Sequence, residues 1–422
     1  MTSLIQEFGL CPARLLDPFA GVGTALLAGR DLHWQTLGVE LLPIGPFVLS
    51  AWLAAEQVNL ATLQLWTRKL ASVCWSKYAR KQFSFPHLRI TRNAFPADTE
   101  QELAGFRAWL HKQQARGVIP QAVLQVIHLA ALSVLEEVSY TRKDGQYLRW
   151  DWRSGRSRAS RRFDKGPIPS FTEALTRKLH LILSDLQTWK YLRTSKSSPS
   201  APEPKMITGS CLEVLPRLPS QSAELIFTSP PYCNRYDYTR TYGLELAWLG
   251  CTERDVKSLR QALLACTVES HEKDAKLRDF YNALQRLQDY DRIVNVFRRQ
   301  TALQEVLELL EADRVAGRLN NNNIPRMVRN YFYETAFWVA ECARIIRPGG
   351  YVLVVNDNVR YSGEEIPVDL ICSDLAEQLG LKVEAIWTLP RGKGNSSQQM
   401  GRHGRVELRK CIYVWRKPAF PV

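Results

Sequence analysis

Four consecutive residues, Ser229 to Tyr232, combine types that suit a ligand site: a hydroxyl, two prolines and an aromatic ring. The apolar run Leu225 to Phe227 precedes them and is predicted to form a buried strand of a parallel sheet. Because two prolines cannot extend a hydrogen-bond ladder, the chain is expected to leave the sheet at Pro230. Ligands of open α/β sheets bind outside the carboxyl ends of strands, which makes this segment a candidate site. An ordinary turn is the alternative, since serine and proline are common in turns.

A second segment, Asp17 to Thr24, follows the predicted strand Ala13 to Leu16 and precedes a helix. Its two glycines allow a sharp turn and a close approach to a ligand, and the helix N-terminus favours an anionic group such as a carboxylate. The next predicted strand, Thr36 to Leu41, carries Glu40 at its tip. A carboxylate there can accept both ribose hydroxyls of a nucleoside, so the pattern indicates a nucleoside cofactor.

A dinucleotide-binding dehydrogenase is the main alternative for this glycine loop. Its G-x-G-x-x-G fingerprint needs a third glycine where helix and strand pack closely, and the loop lacks one. The spacing therefore favours a methyl-donor nucleoside over a dinucleotide.

Together, the Asp17–Thr24 and Thr228–Tyr232 segments resemble those of the amino-methylating DNA methyltransferases, most of all the cytosine-N4 branch. The resemblance covers roughly residues 1–60 and 206–422, and it implies S-adenosylmethionine as cofactor and double-stranded DNA as partner. A cognate restriction endonuclease is left open as a second partner. The resemblance assigns catalysis to Ser229, Pro230, Pro231 and Tyr232. It assigns cofactor binding to Asp17, Phe19, Gly21, Gly23, Thr24, Glu40 and Ser210.

The sequence departs from the family pattern at two places. Ser210 stands where an aspartate is common. Few residues precede the glycine loop, where relatives usually have a segment that packs over the methionine end of the cofactor. We expect either that the chain is shortened or that another segment fills that place.

The resemblance also implies a way of activating the target amine, whose lone pair is delocalised into its ring. Acceptance of hydrogen bonds by the Ser229 hydroxyl and the Pro230 carbonyl would aim that lone pair at the methyl group. Tyr232 would stack on a base flipped out of the duplex. Carbon-5 methylation would need a cysteine directly after proline, whereas Cys233 follows tyrosine, so that chemistry is disfavoured.

Three other functions remain open at this point. Adenine-N6 methylation can use the same turn, and Ser229 alone distinguishes only weakly between adenine and cytosine as the target base. RNA or protein-glutamine methylation could also use a Pro-Pro-Tyr turn. The third is a non-catalytic DNA-binding module with a degenerate fold, but the presence of both intact motifs argues against it.

The net charge of +14 is confined to one part of the chain. Residues 61–205 contain 25 Lys and Arg against 11 Asp and Glu, whereas the remainder contains 31 of each. A neutral catalytic body with a separate basic insert is the pattern expected of a protein that binds phosphate backbones.

Two runs within this insert interleave cations with aromatic rings, which suits phosphates and bases. The first, 66–92, contains Trp66, Trp75, Tyr78, Phe83 and Phe85. The second, 141–163, is denser, and a solvated basic face with core aromatics is the alternative for both. The residues predicted to bind DNA are Arg142, Lys143, Arg149, Trp150, Arg153, Arg156, Arg158, Arg161 and Arg162. His128, in a predicted buried helix over 121–135, is expected to be a core residue.

The predicted fold is an α/β, Rossmann-like S-adenosylmethionine-dependent methyltransferase sheet with two largely helical insertions. The catalytic domain is expected over 1–60, 206–250 and 325–422, the basic target-recognition insert over 61–205, and a helical cap over 251–324. A helix over 330–346 is expected to end at an Arg-Pro-Gly-Gly turn before the strand Tyr351 to Val355. Val383–Trp387 and Cys411–Trp415 are expected to form the antiparallel pair that ends the sheet. The loop between them, 392–405, holds Lys393, Asn395, Arg402 and Arg405, which are DNA-contact candidates.

Other features limit the protein class. Nine cysteines without a C-x-x-C pair, and seven histidines that form no ligand cluster with them, indicate neither a disulfide framework nor a metal site. No signal peptide or membrane-spanning run is recognisable. We therefore expect a cytoplasmic protein with no membrane partner.

Overall fold

The computed structural model describes residues 1–144, 147–156, 162–194, 202–389 and 408–419. Contacts divide the chain into two compact units. The first, here the sheet unit, comprises Met1–Leu42, Ser200–Tyr236 and Leu259–Val422. The second, here the helical unit, comprises Pro43–Pro199 and Asp237–Ser258.

The described part of the sheet unit contains a seven-stranded, mostly parallel sheet, which confirms the predicted α/β class. Its strands are β1 (Arg14–Asp17), β2 (Gln35–Glu40), β5 (Lys205–Thr208), β6 (Ala223–Thr228), β7 (Ile346–Asp357), β10 (Lys382–Thr388) and β11 (Lys410–Arg416). They lie in the order β10-β11-β7-β6-β1-β2-β5, and β11 is antiparallel to both of its neighbours. A separate hairpin is formed by β8 (Val359–Tyr361) and β9 (Glu364–Ile366).

Helices accompany this sheet in the same unit. They are α1 (Thr2–Glu7), α2 (Thr24–Asp31), α8 (Cys211–Val214), α12 (Asp274–Ala283), α13 (Leu287–Arg299), α14 (Thr301–Val315), α15 (Ile324–Ile345) and α16 (Val368–Gln378). The helix α15 is buried along almost its whole length and packs into the main hydrophobic core. The helix α11 (Glu253–Ala262) contains residues of both units.

The Pro-Gly-Gly segment differs from the sequence prediction. Instead of a turn between helix and strand, residues 346–350 already belong to β7. Gly349 adopts φ +84°, which glycine tolerates, and its N–H donates to the Lys417 carbonyl. A Cβ on Gly350 would lie 2.7 Å from the Glu224 carbonyl oxygen. The glycines therefore let the chain bend while it stays paired.

The helical unit is built from helices with one small ribbon. Its helices are α3 (Ile44–Gln57), α4 (Leu60–Ala71), α5 (Ala97–Arg116), α6 (Gln121–Ser133), α7 (Phe171–Thr194), α9 (Tyr238–Thr241) and α10 (Gly243–Trp248). The strands β3 (Thr141–Asp144) and β4 (Tyr147–Trp150) form an antiparallel ribbon. Gly105 of α5 is required by packing, because a Cβ there would lie 1.9 Å from the Trp75 carbonyl oxygen.

Candidate functional site

The two motif segments lie at the same edge of the sheet. β1 is hydrogen-bonded in parallel to β2 on one side and to β6 on the other, so the strand order reverses between β1 and β6. Such a reversal leaves a crevice at the carboxyl ends of the two strands. The loop 18–23 leaves β1 there, and Ser229–Tyr232 leaves β6 there. The fold therefore brings together the two segments that the sequence indicated.

The glycine loop is tied to the tip of β2 through Glu40. Gly21 and Gly23 adopt φ of +53° and +88°, and Gly23 caps α2. The Gly21 N–H donates to Glu40 Oε2 over 2.8 Å, and the Leu42 N–H donates to Oε1 over 2.7 Å. Burial raises the pKa of Glu40, which these backbone hydrogen bonds oppose. Each carboxylate oxygen keeps a further lone pair with which it can accept a hydroxyl.

A buried carboxyl joins the glycine loop to the Ser229–Tyr232 turn. Asp17, at the end of β1, accepts from Thr228 Oγ1 over 2.6 Å and from the Phe19 N–H over 3.0 Å. Burial raises the pKa of Asp17 to about 7, although both hydrogen bonds lower it. The Phe19 ring meets Trp338 edge-on, with 5.7 Å between ring centroids. Phe19 is thereby held from both its backbone and its ring.

Ser210 is hydrogen-bonded within the sheet unit. It precedes α8 and is buried, and its Oγ donates to the Ala262 carbonyl over 2.9 Å. The neighbouring Gly209 N–H donates to the Glu40 carbonyl over 2.9 Å. Thr24 is the first residue of α2. The predicted cofactor residues thus surround the ends of β1, β2 and β5.

The Ser229–Tyr232 turn exposes its serine and buries its prolines. Ser229 Oγ lies 3.3 Å from the Tyr232 hydroxyl. The Asn234 N–H donates to the Tyr232 carbonyl over 2.7 Å and tightens the turn. Burial raises the pKa of Tyr232, and the charge of Asp357 raises it further, so the ring remains a neutral phenol near pH 7. Burial also raises the pKa of Cys233, which keeps its thiol protonated and a poor nucleophile.

Sequence reasoning missed the contact that Tyr361 makes just after this turn and the polar residues that end the neighbouring strand β7. Tyr361 donates its hydroxyl to the Cys233 carbonyl over 2.6 Å. Asn356, at the carboxyl end of β7, donates to the Tyr331 hydroxyl over 2.9 Å. An Asn-Asp pair closing an apolar strand beside β6 was a usable signal, because adjacent parallel strands end at the same edge. Thr228 gave no comparable signal.

The second basic run forms the β3–β4 ribbon and the segment after it. Arg142 and Arg149 are exposed, and their Cζ atoms lie 5.3 and 4.4 Å from the centroid of the Phe163 ring. Arg162 is exposed, with its Cζ 5.9 Å from the Trp152 ring centroid. These three arginines can therefore meet a ligand at the surface.

Three other predicted DNA contacts already have partners within the helical unit, although Arg153 is exposed. Lys143 forms an ion pair with Glu245. Arg153 binds both oxygens of Asp151, at 2.8 and 2.9 Å, and these hydrogen bonds lower the pKa of Asp151 to about 2. Arg156 stacks on Trp150 at 4.3 Å and donates to the carbonyls of residues 89, 90 and 92. Arg158, Arg161 and the predicted contacts of loop 392–405 lie outside the described residues.

The first basic run uses part of its aromatic content for packing. Trp75 and Phe85 are core residues, and the Trp75 ring meets Phe106 edge-on at 5.2 Å. Tyr78 is exposed. His128 accepts from Trp248 Nε1 over 2.8 Å, and burial lowers its pKa to about 4, as expected of a core histidine.

The parts of the chain that the structure describes contain no group of three His, Cys, Asp or Glu placed to hold a metal ion. Among the described helices, none combines the length and apolarity needed to cross a membrane.

Comparison with known proteins shows extensive similarity to Type II methyltransferases from three organisms. The chain is 43% identical to the Type II methyltransferase M.AvaI of Nostoc sp. over 96% of this chain and 80% of the relative, and the M.AvaI of Anabaena variabilis matches equally. It is 40% identical to the Type II methyltransferase M.BsoBI of Geobacillus stearothermophilus, over 99% of this chain and 82% of that enzyme. No family model matches the chain, and neither does any solved structure. With this identity over nearly its full length, the chain belongs to the Type II methyltransferases, a family of site-specific DNA methyltransferases.

Proposed function

We propose that this enzyme transfers a methyl group from S-adenosylmethionine to the N4 amino group of a cytosine flipped out of double-stranded DNA. The observation that carries the proposal is the exposed Ser229 in a Pro-Pro-Tyr turn, beside the glycine loop at the strand-order reversal. A hydroxyl, a backbone carbonyl and an aromatic face are there concentrated at one edge of the sheet.

The residues around the glycine loop fit this cofactor. A Cβ on Gly21 would meet nothing within 4 Å, so the loop offers space for a ligand at that point. Glu40 can accept the ribose hydroxyls with its remaining lone pairs, and the N-terminus of α2 suits the carboxylate. When bound, the cofactor supplies a methyl group on a positively charged sulfur, which is a strong electrophile.

The chain's own residues orient the target amine. Ser229 Oγ and the Pro230 carbonyl accept its two hydrogens, which holds the nitrogen lone pair toward the methyl group. Tyr232 presents its ring to the face of the base and keeps it out of the duplex. The proton released from the amine leaves to solvent, so no general base with a tuned pKa is required.

Contact with DNA is assigned to the basic insert over 61–205. Arg142, Arg149 and Arg162 are exposed cations of the second run, and the insert carries the whole excess of positive charge. Arginines at such a surface neutralise phosphates and meet base edges. Lys143, Arg153 and Arg156 instead bind Glu245, Asp151 and backbone carbonyls, respectively.

Mass analysis of nucleosides tests the proposal directly. Unmethylated plasmid DNA is incubated with enzyme and S-adenosylmethionine, digested to nucleosides and compared with the same DNA treated with Tyr232→Ala. We expect N4-methylcytosine with the wild type and markedly less of it with Tyr232→Ala. N6-methyladenine without N4-methylcytosine would reassign the base, and transfer of labelled methyl to RNA but not DNA would reassign the substrate.

A further inference from the structure

The β3–β4 ribbon carries two arginines directly opposite each other. Arg142 of β3 and Arg149 of β4 are cross-strand partners in the antiparallel register. Both are exposed, whereas Thr141 and Leu148, on the other face, are buried. Like charges directly opposite on a ribbon are destabilising. The pair therefore costs the free protein stability, which points to a ligand rich in hydrogen-bond acceptors.

The Phe163 ring fixes how the two guanidinium groups are presented. Both Cζ atoms lie within 5.3 Å of its centroid, and the Trp152 N–H holds the Phe163 carbonyl over 3.0 Å. Arg142 has no ion pair with any residue that the structure describes. Arg149 reaches Asp144 at 3.4 Å, but both side chains are about half exposed, where such a pair contributes little.

The cations next to this pair already have partners within the helical unit. Lys143, Arg153 and Arg156 are held by Glu245, by Asp151 and by backbone carbonyls, respectively. These contacts tie the ribbon and the segment after it to the rest of the helical unit. Arg142 and Arg149 thus remain available as donors on the exposed face of the ribbon. Because the ribbon is held in place, less entropy is lost when they bind a ligand.

A two-stranded ribbon fits the major groove of B-DNA, and the commonest specific contact there is an arginine donating to O6 and N7 of guanine. We propose that Arg142 and Arg149 read guanine bases in the target sequence. This assignment rests on the proposed DNA methylation and deepens it: the ribbon determines which sites are methylated, and the insert's other exposed cations contact phosphates.

Methylation mapping tests the assignment. DNA from a host without methyltransferases is treated with wild type, Arg142→Ala, Arg149→Ala, or the matched control Arg162→Ala, and the modified sites are sequenced. The wild-type sites should share at least one invariant guanine. Either ribbon variant should lower discrimination against sites that lack one of these guanines by about 10-fold or more. Arg162→Ala, which removes a cation assigned to phosphates, should lower the rate at all sites alike and leave the set of sites unchanged, and the thermal unfolding midpoint of the ribbon variants should not fall.

A duplex containing 7-deazaguanine supplies a second measurement. Removal of N7 at the relevant guanine should slow wild type several-fold and leave the corresponding alanine variant unaffected. An unchanged set of sites, with a uniformly lower rate and a weaker salt dependence, would mean phosphate contact and overturn the assignment. Wild-type sites without an invariant guanine would overturn the ribbon assignment alone. Absence of any wild-type DNA methylation would overturn the proposed function with it.

Discussion

Thr228 donates its hydroxyl hydrogen to Asp17 over 2.6 Å, and this bond joins the carboxyl ends of β6 and β1. Thr228 immediately precedes Ser229, while Asp17 opens the glycine loop and also accepts from the Phe19 N–H. Both partners are buried. The Ser229–Tyr232 turn and the glycine loop are therefore held in register by a buried hydrogen bond between the residues that precede and open them.

Thr228→Val should separate these two segments with little change in volume. The buried carboxyl of Asp17 would lose its side-chain donor, which costs about 1–3 kcal/mol. We expect a lower thermal unfolding midpoint and a lower kcat, measured with a duplex substrate. Thr228→Ser, which keeps the hydroxyl, is the matched control. Equal behaviour of the valine and serine variants would show that the hydrogen bond does not matter.

The raised pKa of Asp17 predicts a pH-dependent stability. An unfolded aspartate titrates near 3.8, whereas burial raises the native pKa to about 7. The native state thus holds a proton that the unfolded chain has lost between these values, so this carboxyl's contribution to stability falls as pH rises from 4 to 7. The full penalty, about 4 kcal/mol, is present above pH 7.

Asp17→Asn should remove that penalty while keeping an acceptor for Thr228. We expect the free energy of unfolding of the variant, relative to wild type, to rise between pH 4 and pH 8 in denaturant titrations. A difference that stays flat over this range would show that Asp17 titrates alike in the native and unfolded states.

The sequence predicted the sheet, the loop and the turn that follow β1 and β6, and the antiparallel end of the sheet, because these depend on local patterns. Apolar runs, glycines and prolines report strands and turns directly. The role of Thr228 was hidden because its partner, Asp17, is 211 positions away, and only the β1–β6 pairing brings them together.

Side-chain direction was the other feature that the sequence did not specify. The basic runs were predicted as surfaces, but Trp75 is buried and Arg153 and Arg156 serve internal contacts. Charge composition shows where an excess of positive charge lies along the chain. It does not show which of these cations form ion pairs with neighbouring carboxylates. The difference between Arg142 and Lys143 follows from strand alternation once the ribbon register is known.

Glu40→Gln should weaken cofactor binding more than catalysis. The carboxylate now accepts from two backbone N–H groups, and an amide would place a donor against one of them. We expect roughly 10- to 100-fold weaker binding of S-adenosylhomocysteine by calorimetry, equivalent to the loss of hydrogen bonds to a charged group. A KM for duplex DNA within about twofold of wild type would show that the substitution weakens cofactor binding and not DNA binding. Unchanged binding would remove Glu40 from the cofactor site.

Tyr232→Ala should abolish most methyl transfer while leaving DNA binding measurable. Loss of the stacking ring costs about 1–3 kcal/mol, so we expect a roughly 5- to 150-fold lower kcat. Tyr232→Phe keeps the ring and loses only the 3.3 Å contact with Ser229, and it should retain activity near that of wild type. If phenylalanine is as damaging as alanine, the hydroxyl and not the ring carries the function. Fluorescence anisotropy with a labelled duplex monitors binding in parallel.

A buried ion pair beneath the segment that follows α11 gives the last prediction. Lys273 Nζ donates to Glu334 Oε2 over 2.7 Å and to the Leu263 carbonyl over 2.6 Å, and Glu334 also accepts from the Ala265 N–H over 2.8 Å. Burial raises the pKa of Glu334, and the charge of Lys273 opposes that rise.

Lys273→Met should leave this carboxylate without its counter-ion and cost about 3–5 kcal/mol in denaturant unfolding. Lys273→Met combined with Glu334→Gln should lose less than the single change, because a neutral amide still accepts from the Ala265 N–H and carries no charge to desolvate. The single variant should also recover stability at low pH, where Glu334 takes up a proton and becomes neutral. Equal losses in the single and double variants, independent of pH, would show that packing of the lysine stem and not its charge stabilises this segment.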